Sequence, residues 1–257
     1  MMSASTHEDG VRLIGLRGIP EVHNGDDVAG YVLASLSEMG VALRADDIVV
    51  VTQKVISKAE GRVVDLAHVE PSAFALRFAR QWNKDPRYVE VVLRESARIV
   101  RMDHGILISE TRHGFVCANA GVDASNVSGG EHACLLPDDA DASARRLREA
   151  IGAATGITPP IIITDSFGRP WREGIMNVAI GIAGLRPLVD YRGQPDDFGR
   201  VMSASVIAVA DELASAAELV MGKVDRCPAA IVRGYPFMAG DGSSRDLVIP
   251  AARDMFR

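Results

Sequence analysis

Residues 159–174, Pro-Pro-Ile-Ile-Ile-Thr-Asp-Ser-Phe-Gly-Arg-Pro-Trp-Arg-Glu-Gly, form the stretch around which the chain is organised. The β-branched run at residues 161–163 is typical of a strand that is buried on both faces. We expect this strand to stop at residues 164–166, where Asp165 and Ser166 would be delivered into a glycine-containing loop. A rigid carboxylate and hydroxyl suit a site for a metal and a phosphate. An ordinary strand end with an Asp–Arg turn explains the same residues, because Asp and Gly are frequent in turns.

Polar side chains also follow other predicted strands. Lys54 and Lys58 come after the strand predicted at residues 47–52, and Asp123 and Asn126 follow a later short strand. The ends of strands are a usual place for ligand contacts in open sheets. Carboxylate oxygens suit Mg²⁺ or Mn²⁺, and lysines suit phosphate oxygens. The residues alone therefore favour a metal-dependent enzyme that handles phosphate groups.

The predicted elements are mixed in order. Strands and helices follow one another without the regular βαβ alternation of a doubly wound sheet. We therefore favour an α+β fold of mixed sheets with packed helices. Capping residues and apolar spacing predict the helices at residues 28–39, 71–82, 86–95, 141–154 and 203–220. Apolar runs predict further strands at residues 11–16, 98–102, 106–111, 115–118, 177–185 and 229–232.

Composition narrows the class of protein. The net charge of −6 argues against a nucleic-acid partner. No apolar run reaches the roughly 20 residues that a membrane span needs. The three cysteines form no CxxC pair and lie in apolar contexts, so we expect them to be buried and the protein to be cytoplasmic. Residues 1–10 are polar and predict a disordered tail, with no signal peptide.

The common nucleotide-binding and hydrolase motifs are absent: there is no P-loop, no GxGxxG, no GxSxG and no HExxH. Other motifs, however, follow one another in the order of a known family. The sequence resembles the coenzyme F420-0:L-glutamate ligase family (F420 gamma-glutamyl ligase) in its stand-alone form, without a reductase-like C-terminal domain. The resemblance rests on Gly18-Ile19-Pro20, Gly25-Asp26-Asp27, residues 55–62 (VISKAEGR), residues 121–126 (GVDASN), residues 164–172 (TDSFGRPWR), and residues 209–214 through Gly222.

This resemblance implies an acid–amino-acid ligase over residues 11–257, with two intertwined subdomains as one arrangement. Such an enzyme adds L-glutamate to F420-0 by an amide bond and to F420-1 by a gamma linkage, through an acyl phosphate. The resemblance implies GTP as co-substrate, Mg²⁺ or Mn²⁺ with K⁺ as a further ion, and an intertwined homodimer.

The resemblance also implies roles for particular residues. Asp123 and Asp165 would hold a first metal and act in catalysis with Lys58, and Ser166 would help to hold a second metal. The nucleotide site would comprise Ile19, Pro20, Glu21, Val22, Gln53, Lys58, Asn126, Met221, Gly222 and Lys223.

Two positions depart from the family pattern, and two alternative functions stand beside the first. Lys223 takes the place of a frequent Gln, so its ammonium would replace part of the role of the second metal or contact phosphate. Gln53 takes the place of a frequent Ser. Arg169 and Arg172 would bind acidic substrates or brace the fold. The alternatives are a related ligase that glutamylates another acid, and a non-catalytic F420- or nucleotide-binding protein.

Overall fold

The computed structural model describes residues 10–124 and 131–255. The predicted tail at residues 1–10, apart from Gly10, and the predicted ligand Asn126 lie outside these residues. The α-helices within them are α1 Val28–Glu38, α2 Gln53–Ala59, α3 Ala73–Trp82, α4 Pro86–Glu95, α5 Ala140–Thr155 and α6 Val209–Met221. The strands are β1 Arg12–Leu16, β2 Asp47–Thr52, β3 Val63–Asp65, β4 Ser96–Asp103, β5 Ile106–Thr111, β6 Val116–Ala118, β7 His132–Cys134, β8 Ile161–Arg169, β9 Arg172–Ala183, β10 Val189–Asp190, β11 Val206–Ile207 and β12 Ala229–Arg233.

A five-stranded sheet with the order β1-β12-β2-β8-β9 forms the centre of the molecule. Only β2 and β8 run parallel in this sheet, and its other neighbouring pairs are antiparallel. Thr52 pairs with Thr164, so β2 reaches its last residue level with the middle of β8. The residues that follow these two threonines therefore emerge at the same edge of the sheet.

Both faces of this sheet are buried, as the isoleucine run predicts. Ile161 and Ile163 pack into a core with residues of α1 and α5, while Ile162 packs into a second core with α6. Side chains alternate between the two faces of a strand, so a run without polar residues is what a doubly covered strand requires. The prediction of a strand buried on both faces is confirmed.

The predicted end of this strand is wrong. β8 does not stop at residues 164–166 but continues to Arg169 and pairs with β9 in a long hairpin, where Asp165 lies opposite Val178. Thr164 pairs with Ala179 while Ile163 pairs with Gly181, so Ile180 is the extra residue of a β-bulge beside Asp165. Polar residues at 164–166 are accommodated because the partner strand supplies their backbone hydrogen bonds, which the sequence of β8 does not reveal.

The predicted start of the last long helix is also wrong. A helix was expected from residue 203, but α6 begins at Val209, and Val206 and Ile207 instead form β11 against β10. Both residues are β-branched and suit a strand as well as a helix. Pairing with a segment some 17 residues earlier, Val189–Asp190, decides between the two.

Other helix limits lie close to the predicted ones because capping residues set them locally. The Asp27 carboxylate accepts a hydrogen bond from the Gly30 N–H at 3.0 Å and begins α1. The Asp85 carboxylate accepts one from the Arg87 N–H at 2.8 Å and begins α4, with Pro86 in the first turn.

A third cluster of buried residues, separate from the two cores on the faces of the central sheet, lies in the segment between α2 and α5. It contains α3 and α4, the β3–β7 pair and the three-stranded sheet β4-β5-β6. Phe78 is buried there, and Phe74 and Trp82, four residues before and after it on α3, pack against the same core. With the central mixed sheet, this arrangement confirms the α+β fold class.

Two further findings concern the cysteines and the length and polarity of the helices. Cys117, Cys134 and Cys227 are free thiols and all three are buried, as expected. Within residues 10–124 and 131–255, the helices are too short or too polar for one of them to cross a membrane.

A buried ion pair joins two strands of the central sheet at the edge away from residues 52 and 164. Arg233 on β12 donates through Nε to Asp47 Oδ1 on β2 at 2.6 Å, and Asp47 is fully buried. Arg233 also donates to the Ala42 carbonyl at 2.8 Å, and Asp47 accepts from the Arg44 N–H at 2.8 Å. Removing one partner would leave the other charge in a site without water.

We predict that Arg233→Met lowers the free energy of unfolding by about 3–5 kcal/mol, the usual cost of an unpaired buried charge. Urea denaturation measures it. Arg98→Met serves as a control, because Arg98 pairs with Glu110 at the surface, where both side chains are partly exposed, and this substitution should cost less than about 1 kcal/mol. Equal effects of the two substitutions would contradict the prediction.

Candidate active site

The edge of the central sheet brings predicted site residues together. Lys54 lies in the first turn of α2, directly after β2, and Asp165 follows the threonine that pairs with Thr52. Asp165 lies on the same face of β8 as Ile163 and Phe167, which pack into the core beneath α2. The parallel register thus places a lysine and a carboxylate side by side.

Asp123 reaches this edge from the third cluster, next to the buried Val122. Its backbone forms a bridge with Cys134, with the Asp123 N–H donating to the Cys134 carbonyl at 2.9 Å and the Cys134 N–H donating back at 2.8 Å. Its carboxylate lies 2.6 Å from Lys54, measured between Oδ2 and Nζ. Two backbone hydrogen bonds to Cys134 and the ion pair with Lys54 therefore hold Asp123 in place.

The pKa of the Asp165 carboxyl depends on its burial and on these neighbours. Burial, with a smaller contribution from the negative charge of Asp123, raises the pKa of Asp165 to about 6, although a hydrogen bond from the Ser166 backbone and the charges of Lys54 and Lys223 oppose the shift. The same carboxylate adds to the effect of burial on Cys117, whose pKa rises to about 12. Two carboxylates and two ammonium groups therefore share one partly enclosed region, which we call the charge cluster: Asp123, Asp165, Lys54 and Lys223.

Ser166 faces the opposite side of the sheet, toward α6. Its hydroxyl donates to Asn177 Oδ1 at 2.7 Å, and Asn177 Nδ2 donates to Glu218 Oε2 on α6 at 2.7 Å. Lys223 Nζ donates to Ser166 Oγ. The chain Lys223–Ser166–Asn177–Glu218 runs from a cation to a carboxylate and commits the Ser166 proton to Asn177. The remaining lone pairs of Ser166 are left to accept from Lys223 or to bind a cation.

Sequence reasoning missed Asn177 and Glu218, the last two members of this chain. Asn177 begins a run of small apolar residues, and Glu218 lies near the end of an amphipathic helix. The one indication in the sequence is that Asn177 is a polar residue in a segment otherwise suited to a core. Its 4% exposure requires hydrogen-bond partners.

The segment at residues 19–22 comes to α2 through an ion pair. Lys58 Nζ lies 2.6 Å from Glu21 Oε1, and the Lys58 side chain is only 11% exposed. Val22 is buried, Ile19 packs against the core, and Pro20 is exposed. Lys58 thus lies one helical turn beyond Lys54 but pairs with a different carboxylate.

The other predicted nucleotide residues differ in accessibility. Gln53 is fully buried and accepts from the Ser57 hydroxyl at 2.8 Å, while its Nε2 has no hydrogen-bond partner in the described part of the chain. Met221 is buried in the core beneath α6. Gly222 ends α6 with a φ of 61°, which favours glycine, and Lys223 beside it is exposed.

Arg169 and Arg172 flank the tip of the β8–β9 hairpin. Arg169 donates to the Glu173 carbonyl at 2.7 Å, a contact that closes the turn around Pro170 and Trp171. Trp171 is 82% exposed and has a φ of 58°. Arg169 therefore braces its own hairpin, while Arg172 is exposed beside it.

The donor set fits a hard divalent cation. Asp123 and Asp165 supply two carboxylates, and no group of three or more His, Cys, Asp or Glu side chains suited to a metal occurs among the described residues. Mg²⁺ commonly uses one or two protein carboxylates and leaves its other positions to water and phosphate. A cation at this edge would be held in that manner.

Comparison with known proteins identifies the family to which the chain belongs. The family model for F420-0:Gamma-glutamyl ligase matches residues 17–234. The chain therefore belongs to this ligase family, as its motifs predict.

Individual relatives cover nearly the whole chain. It is 47% identical over 251 residues to "Coenzyme F420:L-glutamate ligase" of Methanothermobacter thermautotrophicus, covering 96% of this chain and 99% of that protein. It is 43% identical over 242 residues to the protein of the same name from Methanopyrus kandleri, covering 92% and 94%. The corresponding Methanocaldococcus jannaschii protein is 41% identical over 250 residues, covering 96% and 97%.

We predict that ionisation of Asp165 destabilises the metal-free protein. Its pKa of about 6 lies above the ordinary 3.8, so the folded state binds more protons than the unfolded state between these values. Stability relative to Asp165→Asn should therefore fall as the pH rises from about 4 to about 6, and level off above. Urea denaturation with a chelator across this range measures the difference.

Asp103→Asn provides a control of opposite sign, because hydrogen bonding from Arg101 lowers the pKa of Asp103. Stability relative to that variant should rise with pH until Asp103 is ionised. A difference between wild type and Asp165→Asn that does not change with pH would contradict the prediction.

A second prediction concerns the hydrogen-bond chain. Asn177→Leu keeps the volume of the side chain but leaves Glu218 and Ser166 without their shared partner, so we expect a loss of about 1–3 kcal/mol in the free energy of unfolding. Chemical denaturation measures it. The exposed Gln81→Leu should change stability by less than about 0.5 kcal/mol. Wild-type stability in Asn177→Leu would exclude a structural chain.

Proposed function

We propose that this protein is a GTP- and divalent-metal-dependent ligase that adds L-glutamate to coenzyme F420-0 and then, by a gamma linkage, to F420-1. The observation that carries the proposal is the 47% identity, over 96% of the chain, to a relative named "Coenzyme F420:L-glutamate ligase". The charge cluster supports it, because two carboxylates beside two lysines suit a metal-bound nucleotide.

The proposed chemistry requires activation of a carboxylate. An oxygen of the acceptor carboxylate of F420-0 attacks the γ-phosphorus of GTP, the bond to the β-phosphate oxygen breaks, and GDP leaves. The amine of glutamate then attacks the carbonyl carbon of the acyl phosphate, inorganic phosphate leaves with the electron pair, and the amine nitrogen loses a proton. The first step provides the leaving group that a free carboxylate lacks.

Different residues of the site would have different roles in this reaction. Asp123 and Asp165 would hold the cation, which supplies positive charge to the nucleotide phosphates. Lys58 at α2 and Lys223 after α6 would contact phosphate oxygens as preorganised donors. Ser166, with its proton fixed on Asn177, offers lone pairs toward Lys223 and toward a second cation.

The proposal has three further parts. Residues 19–22, Gln53, Asn126, Met221 and Gly222 would form the remaining nucleotide contacts, K⁺ would be a further ion, and the protein would act as a homodimer in the cytoplasm. Size-exclusion chromatography with light scattering measures the oligomeric state directly.

The test is an assay on the purified protein with F420-0, L-glutamate, GTP and Mn²⁺. We predict a glutamylated deazaflavin by mass spectrometry and one GDP for each glutamate added. GDP release with a different acid, but not with F420-0, would identify a related ligase. Ligand binding by calorimetry without any turnover would identify a non-catalytic binding protein.

Asp165→Ala should lower turnover by at least about 10³-fold, because it removes charge that stabilises the transferring phosphoryl group. The variant should remain folded by circular dichroism. Asp103→Ala, at the end of β4 and outside the charge cluster, should retain wild-type turnover. Normal turnover in Asp165→Ala would remove Asp165 from the proposed metal site.

A further inference from the structure

We infer that Glu218 is a positioning residue: through the Asn177 amide it fixes the direction of the Ser166 hydroxyl, so that the lone pairs of Ser166 face a bound cation. The resemblance gives no role to Glu218. The inference deepens the proposed function and rests on it, because that function supplies the divalent cation.

The Lys223 end of the hydrogen-bond chain determines its direction. An ammonium group can only donate a hydrogen bond, so Ser166 Oγ must accept where it meets Lys223 Nζ. The single proton of the Ser166 hydroxyl is then left for Asn177 Oδ1, at 2.7 Å. The hydrogen bonds on this side therefore run from the lysine toward the asparagine.

The Glu218 end determines which side of the amide faces Ser166. A carboxylate can only accept, so Glu218 Oε2 takes its hydrogen bond from Asn177 Nδ2 at 2.7 Å. Thr164 Oγ1, at 3.4 Å from the same nitrogen, belongs to a hydroxyl that can donate as well as accept, so it selects neither orientation. Glu218 is therefore the partner that directs Asn177 Oδ1 toward Ser166.

The backbone of β9 near Asn177 is held by the same helix. Asp211, Ser215 and Glu218 are spaced by four and three residues and so line one face of α6. Ser215 Oγ donates to the Asn177 carbonyl at 2.7 Å, and Asp211 Oδ1 accepts from the Ala179 N–H at 2.8 Å. Loss of the Glu218 carboxylate would therefore free the amide to turn while its backbone stays in place.

A turned amide would change what Ser166 offers to a cation. Asn177 Nδ2 would donate to a lone pair of Ser166, and the hydroxyl proton would then point toward the side that Lys223 faces, where a cation repels it. Hydrogen bonds behind a metal ligand commonly orient it, and their removal costs roughly 10- to 100-fold in affinity or activity. We therefore expect Glu218 to influence cation binding without touching the cation.

The first test is the affinity for Mn²⁺, measured from the EPR signal of the free ion at a fixed GTP concentration, without F420-0 or glutamate. Glu218→Met removes the acceptor and keeps much of the side-chain volume, so its Kd for Mn²⁺ should be about tenfold higher than that of wild type. Glu212→Met is the matched control, because Glu212 is exposed on the same helix, and its Kd should stay within about twofold of wild type.

A cycle of variants separates the hydrogen-bond chain from a general effect of charge or stability. Ser166→Ala removes the oxygen on which Glu218 acts, and it should itself raise the Kd for Mn²⁺ about tenfold. In that background Glu218→Met should change the Kd by less than about twofold, because effects within one hydrogen-bond network are not additive. Full additivity would overturn the inference, since Glu218 would then act independently of Ser166.

A conservative variant separates the acceptor from the charge. Glu218→Gln keeps a carbonyl oxygen that accepts from Asn177 Nδ2, so its Kd for Mn²⁺ should lie closer to that of wild type than to that of Glu218→Met. A Kd as high as that of Glu218→Met would overturn the role of the amide. Thermal melts by circular dichroism establish that each variant is folded before titration.

The outcomes for the inference and for the proposed function are distinct. An unchanged Kd in Glu218→Met or in Ser166→Ala would overturn the inference, while wild type would still bind Mn²⁺ and glutamylate F420-0. The predicted pattern of Mn²⁺ affinities, without glutamylation of F420-0 by wild type, would remove the substrate assignment and support the inference. Absence of Mn²⁺ binding by wild type beyond that of GTP alone would remove the metal from both.

Discussion

The parallel pairing of β2 with β8 is the constraint on which the rest of the structure depends. It aligns Thr52 with Thr164 and so brings the start of α2 to the same edge as Asp165. The first strand, β1, ends at the same edge, because Leu16 and Val51 both pair with Ala229, so residues 17–22 also leave the sheet here. Without this single register, Lys54 and Asp165 would belong to unrelated parts of the surface.

Alternation along β8 then divides the site in two. Asp165 turns toward α2 and meets Asp123 and Lys54, while the next residue, Ser166, turns toward α6 and meets Asn177 and Lys223. Two adjacent residues of one strand therefore serve different helices. Charge dominates on the first side, and a directed chain of hydrogen bonds dominates on the second.

Local patterns in the sequence predicted the elements that local forces determine. The cap at Asp27, the cap at Asp85 and the isoleucine run of β8 each act within a few residues, and the structure confirms them. The end of β8 and the start of α6 were wrong because each depends on pairing with a distant segment. Such pairing has no local counterpart in composition or spacing.

The candidate site was predictable to a similar extent. Motifs pointed to Asp123 and Asp165 in advance, and the fold brings these carboxylates together from two clusters of the molecule. They did not indicate that Lys54, rather than Lys58, pairs with Asp123, nor that Glu218 supports Ser166 through Asn177. Those relations depend on which way a side chain turns once α2 and α6 are packed.

The extension of β8 into a hairpin separates the tip from the chemistry. Asp165 lies opposite Val178, several residue pairs before the turn at Pro170 and Trp171, and those pairs hold it in register. A change in the turn itself therefore leaves these pairs in place, so the spacing of the carboxylates depends on the paired residues and not on the length of the turn. Residues 164–169, which the sequence predicts as a strand end and a loop, are therefore paired strand residues that fix the position of Asp165.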